Sequence, residues 1–191
     1  MKATKRHARR DLLGLAAAAT ALVAAPGLSG KALALPRAPS KRALAPRSLA
    51  FHHLHTGESL NVVYWADGSY LPDATERIDY LLRDFRTDEV HPIDPRLFDL
   101  LAHLRATLRT SAPYLVIGGY RSPATNAMLR ETTEGVAANS LHMVGQAIDL
   151  RVPDRRLAQV QRAALGLRDG GVGYYPRSDF VHVDVGRVRR W

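Results

Sequence analysis

The sequence predicts an α+β fold, with helices packed on one side of a mostly antiparallel sheet. The chain has 191 residues, which is enough for one domain with a tail but not readily for two. Its 46% hydrophobic and 24% charged residues are typical of a globular protein rather than a disordered one. Short β-prone segments alternate with segments in which apolar residues recur at helical spacing, and this mixture indicates the α+β class.

The predicted domain begins with two strands joined by a short turn. Ser48–His55 and Glu58–Trp65 are rich in β-prone residues and flank the turn sequence His55-Thr56-Gly57. Asp67-Gly68 marks a second turn directly after them. Four later segments have the same strand character, and they complete the predicted sheet: Tyr114–Gly118, Gln146–Val152, Val172–Tyr175 and Phe180–Val185.

Four segments have the pattern of helices. The first covers residues 73–86, with Asp73 as its N-cap, and the others cover about 95–109, 123–134 and 154–166. The apolar residues that define the first two faces are Ile78, Leu81, Leu82 and Phe85, followed by Leu97, Leu100, Leu101, Leu104 and Leu108. These faces are the candidates for packing against the sheet.

The first 34 residues have the three-part layout of a secretory signal. A basic start precedes the apolar run Leu12–Ala25, which is shorter than the roughly 20 residues that a membrane-spanning helix needs. Ala32-Leu33-Ala34 has the small-x-small pattern of a cleavage site. Arg9-Arg10 before Asp11-Leu12-Leu13 resembles the twin-arginine signal, which exports folded proteins, and an ordinary Sec signal is the alternative.

We therefore expect a twin-arginine-type signal peptide over residues 1–34, a flexible linker over 35–47 and one domain over 48–191. Cleavage near Ala34 would release a periplasmic protein with no stable membrane span, and the twin-arginine export machinery would be a partner. Retention of the signal as an anchor is the alternative.

Composition excludes several classes of site. The chain has no cysteine, so a disulfide scaffold, a Cys-ligated zinc finger, an iron–sulfur cluster and a thiol nucleophile are excluded. Any metal must be held by His, Asp or Glu. Removing residues 1–34 takes away six basic residues and one acidic residue, which lowers the net charge from +9 to +4. That charge does not require nucleic acid as a partner.

Two histidines and one aspartate are the strongest candidates for metal ligands. Asp149 lies in an apolar strand, where a carboxylate is costly unless it is paired or bound to a metal. His142 precedes it by seven residues, and His182 lies among valines. Two imidazoles and one carboxylate would form a three-ligand site with a position left for water. An ion pair between Asp149 and an arginine, with His182 as an ordinary core residue, is the alternative.

A second histidine cluster, His52, His53 and His55, is a weaker candidate for a metal site. His52 and His53 are adjacent in a predicted strand, so their side chains leave it on opposite faces.

The residues around His142 resemble a known family. The stretch Ser140–Asp149 reads S-x-H-x-x-G-x-A-x-D, preceded by Gly119-Tyr120-Arg121-Ser122 and followed by Gly171–Gly186, GVGYYPRSDFVHVDVG. Together with Leu54–Glu58 and the terminal Arg-x-Trp, these motifs resemble the zinc D-Ala-D-Ala peptidase superfamily, which is grouped with lysostaphin and the hedgehog signalling domain. The closest resemblance is to the murein endopeptidase K type, and it covers about residues 48–191.

The resemblance implies a hedgehog/D-Ala-D-Ala peptidase-like fold, and Zn²⁺ held by His142, Asp149 and His182. It implies hydrolysis of peptide cross-links in peptidoglycan by a metal-activated water. A D,D- or L,D-carboxypeptidase acting on stem peptides and a non-catalytic wall-binding module are the alternatives. The resemblance leaves two cross-links open, the one from D-alanine to diaminopimelate and the one from diaminopimelate to diaminopimelate.

The general base is where this sequence departs from the wider superfamily. Relatives use a His two residues before the last ligand or a Glu three residues before it, and here those positions are Phe180 and Asp179. Asp184 lies two residues after His182 and should point to the same sheet face. We expect Asp184 to act as the base or to orient an imidazole, with Asp179 as the second candidate.

The resemblance also implies residues that contact substrate. Arg121 would stabilise the oxyanion or bind a substrate carboxylate, tasks that suit a guanidinium fork. Ser122, Ser140 and Tyr175 are the further candidates for substrate binding.

Overall fold

The computed structural model describes residues 45–133 and 135–191. The expected signal peptide and most of the expected linker lie outside the described residues. The strands are β1 (Arg47–His53), β2 (Ser59–Ala66), β3 (Ser69–Tyr70), β4 (Tyr114–Gly118), β5 (Ala147–Arg151), β6 (Gly171–Tyr175), β7 (Phe180–Asp184) and β8 (Arg189–Arg190). The helices are α1 (Pro72–Leu81), α2 (Pro95–Leu108), α3 (Pro123–Thr132) and α4 (Leu157–Leu167), with a 3-10 helix at Leu141–Val144.

All eight strands form one sheet in the order β3-β2-β1-β4-β5-β7-β6-β8. Two neighbouring pairs, β1 with β4 and β6 with β8, are parallel, and the other pairs are antiparallel. The predicted α+β class with a mostly antiparallel sheet is therefore confirmed.

The hydrophobic core lies on one face of the sheet. Helix α1 packs against β2, α2 against β1, and α4 against β6 and β7. Ile148 and Leu150 of β5 belong to this core, as do Val181 and Val183 of β7. Because side chains alternate along a strand, Asp149 of β5 and His182 of β7 point to the opposite face. The fold thus separates a structural face from a face that is available for chemistry.

Helix α1 differs from the prediction at both ends. It begins at Pro72 with Leu71 as the N-cap, because proline suits the first helical position, and Asp73 lies within the first turn. It ends at Leu81 rather than at residue 86. The chain turns there because the carboxylate of Asp84 accepts hydrogen bonds from the backbone N–H groups of Arg86 and Ser122. Phe85, predicted for the helical face, lies in the following loop.

Helices α2 and α3 match their predictions closely. Asp94 caps α2 by accepting the N–H of Arg96, and the leucine face is buried in the core. Helix α4 begins at Leu157, three residues later than predicted, because Arg155 donates its N–H to Val152 in a turn. No helix in the described ranges is both long and apolar enough to cross a membrane.

Candidate active site

Three neighbouring segments bring the candidate metal ligands together. Asp149 of β5 lies opposite His182 of β7 in the antiparallel register. His142 lies in the 3-10 helix that leads into β5, where the Ser140 hydroxyl accepts the His142 backbone N–H at 3.3 Å. Gly145 ends this helix with a φ of 65°, and a Cβ there would collide with the Pro92 carbonyl oxygen. This position therefore requires glycine.

The distances between the three side chains fit a metal site. Nε2 of His142 is 3.1 Å from Nδ1 of His182 and 3.3 Å from Oδ1 of Asp149. The His182 Nδ1 atom is 2.9 Å from the same carboxylate oxygen. Ligands about 2.0–2.1 Å from a tetrahedral zinc are about 3.3 Å apart, so a cation of this size fits between these atoms. Two imidazoles and one carboxylate are also a donor set that zinc accepts.

Each imidazole is held by a second contact at its other nitrogen. Nδ1 of His142 is 2.7 Å from the carbonyl oxygen of Gly119, and Nε2 of His182 is 3.0 Å from Oδ2 of Asp184. Both partners are acceptors, so these nitrogens carry the protons. The remaining nitrogens, His142 Nε2 and His182 Nδ1, face the central position, where they would offer lone pairs once a metal displaces the second proton of His182.

The buried charges in the cluster stabilise one another. Burial alone raises the pKa of Asp149, but the adjacent His142 and His182 reverse this effect and hold its pKa well below the usual range. Burial likewise lowers the pKa of His182, whereas Asp149 and Asp184 raise it to about 9 overall. The cluster thus favours an ionised carboxylate, which is the form that binds a metal.

Asp184 is completely enclosed by partners. Its carboxylate accepts the N–H groups of Gly171 and Gly186 at 3.1 and 2.9 Å, and both terminal nitrogens of Arg189 at 3.0 and 2.7 Å. Burial raises its pKa, but His182, Arg189 and the Gly186 N–H more than compensate and hold the pKa low. Asp184 therefore contacts the His182 nitrogen that faces away from the other two candidate ligands, a position that suits orientation of the imidazole.

Arg121 lies at the edge of the cluster. Its Nη2 atom is 3.7 Å from Oδ2 of Asp149, and its Nη1 atom donates to Oδ1 of Asn126 at 3.4 Å. Burial lowers the pKa of the guanidinium, and the charge of Asp149 partly offsets this effect. Asp149 is shared with two imidazoles, so Arg121 keeps donors available for another group.

The cluster opens into a cavity of about 570 Å³. Its floor contains His142, Asp149 and His182, with Arg121 beside them. Its walls come from five parts of the chain, and they include His55, Phe85, Arg86, Leu129, Val136, Tyr175, Phe180, Arg189 and Trp191. A metal in the cluster would face this space rather than solid core.

Two of the other predicted site residues line the cavity, and two do not. Ser140 and Tyr175 line the cavity. Ser122 is fully buried, and its hydroxyl caps α3 by accepting the Thr125 N–H at 3.2 Å, so it does not line the cavity. Asp179 lies in an exposed turn at a φ of 54°, paired with Arg151 and outside the cavity lining.

Arg189 and Trp191 also line the cavity, a role that the sequence did not predict for either residue. Trp191 pairs with β6 through its backbone, and its ring centroid lies 5.2 Å from that of His182. A Cβ at Gly173 would lie 2.7 Å from this indole. A glycine within a strand signals such a close approach, and it was the sequence feature that could have indicated a covering group.

The side chains of the second histidine cluster do not converge on one point. His52 and His53 leave β1 on opposite faces, as predicted: His52 contacts Ser59, and His53 is buried. His55 alone lines the cavity.

Comparisons with known proteins agree with this geometry. Residues 41–191 match the model of the family Peptidase_M15_2, described as peptidoglycan L,D-endopeptidase MepK. The chain is 40% identical over 183 residues to the peptidoglycan L,D-endopeptidase MepK of Escherichia coli (strain K12), covering 96% of each chain. It is 46% identical over 147 residues to a probable peptidoglycan L,D-endopeptidase MepK of Haemophilus influenzae, covering 76% of this chain and 79% of the relative.

Proposed function

The chain belongs to the Peptidase_M15_2 family of peptidoglycan endopeptidases, and from this premise we propose that it cuts L,D peptide cross-links with a zinc ion bound by His142, Asp149 and His182. It is a cell-wall endopeptidase and a metallopeptidase.

The ligand cluster at the floor of the cavity is the observation that carries the proposal. The three inward-facing atoms lie within 4.8 Å of one another, and the cavity lies on their open side. Three protein ligands with an open fourth position are typical of catalytic rather than structural zinc sites. Zinc bound there would polarise the scissile carbonyl and lower the pKa of water.

Arg121 is proposed to bind the substrate carbonyl oxygen as negative charge develops on it. The guanidinium is largely withdrawn from solvent and lies next to the cluster, 3.7 Å from the Asp149 carboxylate. Fixed donors in a poorly hydrated site stabilise developing charge more than mobile water does. Tyr175 and Ser140 line the space that the peptide would occupy.

Asp184 is proposed as a positioning residue rather than the base. All of its oxygens have partners, and it makes no contact with the cavity. Asp179, the second predicted base, is ion-paired in the exposed turn.

The bond is proposed to be the diaminopimelate–diaminopimelate cross-link. The names of the relatives specify L,D-endopeptidases. Of the two cross-links left open by the sequence, the one between two diaminopimelates joins an L-centre to a D-centre, whereas the one that starts from D-alanine joins two D-centres.

The periplasm is the proposed location, with residues 1–34 as a twin-arginine-type signal. The basic start, the short apolar run and the Arg9-Arg10 pair support this proposal. A peptidoglycan substrate supports it as well, because this polymer lies outside the cytoplasmic membrane.

Product analysis on defined substrates tests the proposal. Zinc-loaded protein would be incubated with purified muropeptide dimers of each cross-link type, and the products would be identified by mass spectrometry. We expect monomers from the diaminopimelate–diaminopimelate dimer only, no reaction with His142→Ala, and normal reaction with His103→Ala, an exposed histidine of α2. Release of single terminal residues from intact stem peptides would instead indicate a carboxypeptidase.

A further inference from the structure

We propose that Arg86, which lies against the Phe85 ring in the wall of the cavity, binds a carboxylate of the peptidoglycan stem peptide. The inference rests on the proposed function, since it assigns part of the substrate to a wall of the same cavity. It adds a specificity-determining cation to the site, separate from the metal ligands and from Arg121.

The aromatic rings form a platform for the guanidinium. The rings of His55 and Phe85 are stacked, with centroids 4.1 Å apart and planes 7° from parallel. The Arg86 guanidinium carbon lies 4.2 Å from the Phe85 centroid. A cation placed against an aromatic face loses side-chain freedom without losing its hydrogen-bond donors. All three residues line the cavity that contains the metal cluster.

Buried contacts hold both parts of this platform. Nδ1 of His53 accepts the backbone N–H groups of His55 and Thr56 at 3.2 and 3.4 Å. Burial lowers the pKa of His53 to about 4, so its ring is neutral and keeps this acceptor at neutral pH. On the other side, the buried Asp84 accepts the Arg86 backbone N–H at 3.0 Å. The platform is therefore in place before any ligand arrives.

The charge of Arg86 has no anionic partner among the described residues. Arg83, three positions earlier, pairs with Glu58 at 2.8 Å and Asp88 at 3.1 Å. No carboxylate of residues 45–133 or 135–191 lies within 4.0 Å of the Arg86 guanidinium. Its cavity position and its missing partner together distinguish Arg86 from an ordinary surface arginine.

A second cation in the same cavity adds to the excess of positive charge. Arg121 lines the same cavity as Arg86. Asp149, the acid next to Arg121, already contacts His142 and His182. Three guanidinium groups and two carboxylates line the cavity, and Arg189 is already paired with Asp184, which lies outside the lining. Because the carboxylate of Asp84 also accepts backbone N–H groups, Arg86 and Arg121 leave an excess of positive charge that attracts an anionic ligand.

A carboxylate is the anion that fits this site best. A guanidinium fork donates two parallel hydrogen bonds to the two oxygens of a carboxylate. Peptidoglycan stem peptides carry free carboxylates on diaminopimelate and at their chain ends. Both sources offer the same chemistry, and amidation of one or the other separates them.

Kinetics on matched substrates test the subsite. The zinc-loaded full chain would be compared with Arg86→Met, Arg86→Lys and the control Arg162→Met, an exposed arginine of α4 outside the cavity lining. For dimers with free carboxylates, we expect Arg86→Met to raise KM about tenfold or more with kcat nearly unchanged, because a charged hydrogen bond to bound substrate is lost. Arg86→Lys should recover part of the loss, and Arg162→Met should match the parent.

Amidated dimers identify the carboxylate. Amidation of the recognised carboxylate should raise KM for the parent chain and abolish the difference between the parent and Arg86→Met. Amidation of the other carboxylate should leave that difference intact. An Arg86→Met variant that melts normally and has the same KM as Arg162→Met on every substrate would overturn the subsite.

Calorimetric binding of an uncross-linked stem peptide separates this inference from the proposed function. If the parent binds the peptide more tightly than Arg86→Met but cleaves no cross-link, the subsite stands and the proposed function fails. If cleavage is normal and both chains bind the peptide equally, the proposed function stands and the subsite fails.

Discussion

At the scale of single residues, the metal cluster depends on groups that are not themselves candidate ligands. The Gly119 carbonyl holds one imidazole, and Asp184 holds the other. Asp184 is in turn fixed by Arg189, which contacts both of its oxygens. Such outer contacts set the orientation and protonation of metal-binding histidines, so part of the zinc affinity should reside in Arg189.

Replacing Arg189 by Met should weaken zinc binding about tenfold or more, because Asp184 would lose two donors and His182 its fixed partner. Competition with a chromogenic chelator measures this affinity directly. Arg187→Met, an exposed arginine two residues earlier, is the control. Equal zinc affinity in the two variants would remove Arg189 from the account of the site.

Arg121→Lys should leave zinc stoichiometry unchanged and lower kcat by about a hundredfold, because a point charge replaces a fork aimed at the developing oxyanion. Steady-state cleavage of the cross-linked dimer, with zinc measured on the same samples, tests this expectation. A variant with normal kcat and a raised KM would indicate that Arg121 binds the ground-state peptide instead.

At the scale of elements, short connections position the site. The loop after β4 approaches the end of α1 so closely that the Tyr120 N–H donates to the Leu82 carbonyl at 2.7 Å. At Gly119 a Cβ would collide with the same carbonyl oxygen. This packing fixes the Gly119 carbonyl that orients His142.

Gly119→Ala should therefore destabilise the fold by about 2 kcal/mol or more, since the obstacle is backbone and cannot rotate away. Gly166→Ala is a matched control, because it lies in α4 with nothing within 4 Å of the added carbon. That change should stabilise the fold by about 0.5–1 kcal/mol. Urea unfolding of both variants measures the difference, and equal stabilities would contradict the described packing.

The β1–β2 turn should make stability depend on pH. Burial lowers the pKa of His53 to about 4 in the folded chain, below its ordinary value of 6.5. Between these values the unfolded chain binds more protons, so the stabilisation from the neutral His53 is complete above about pH 6.5 and declines toward pH 4. Its full size is about 1.4 kcal/mol for each unit of pKa shift.

Urea unfolding from pH 4 to 7 tests this dependence, with His53→Gln as the comparison. The parent chain should lose more stability than His53→Gln as the pH falls through this window. Parallel pH profiles for the two chains would show that His53 titrates equally in the folded and unfolded states.

The elements also show where sequence patterns suffice. The leucine face predicted α2 well, since that face is buried and Asp94 caps its start. The same spacing predicted an α1 that is too long, because Phe85 continues the apolar periodicity. The helix ends earlier, where the Asp84 carboxylate accepts the backbone N–H groups of Arg86 and Ser122. The short strands β3 and β8 have two residues each, too few for any periodic signal.

At the scale of the whole molecule, one sheet contributes to the hydrophobic core on one face and carries candidate metal ligands on the other. Alternation along β5 and β7 directs the apolar side chains toward the helices and Asp149 and His182 toward the cavity. Motif and alternation together predicted the three candidate ligands as a group, and the structure brings them together. The stacking of His55 on Phe85 beside Arg86 and the position of Trp191 next to His182 were not predictable in this way. Both depend on contacts between segments that are far apart in the sequence.

The most direct test of the account is a zinc titration of the metal-free chain with cross-link cleavage as the readout. We predict that cleavage of the diaminopimelate cross-link rises linearly and stops at one zinc per chain, and that Asp149→Asn neither binds zinc tightly nor cleaves. Full cleavage by the metal-free chain in excess chelator, or unchanged zinc binding and cleavage in Asp149→Asn, would contradict the proposed metal centre.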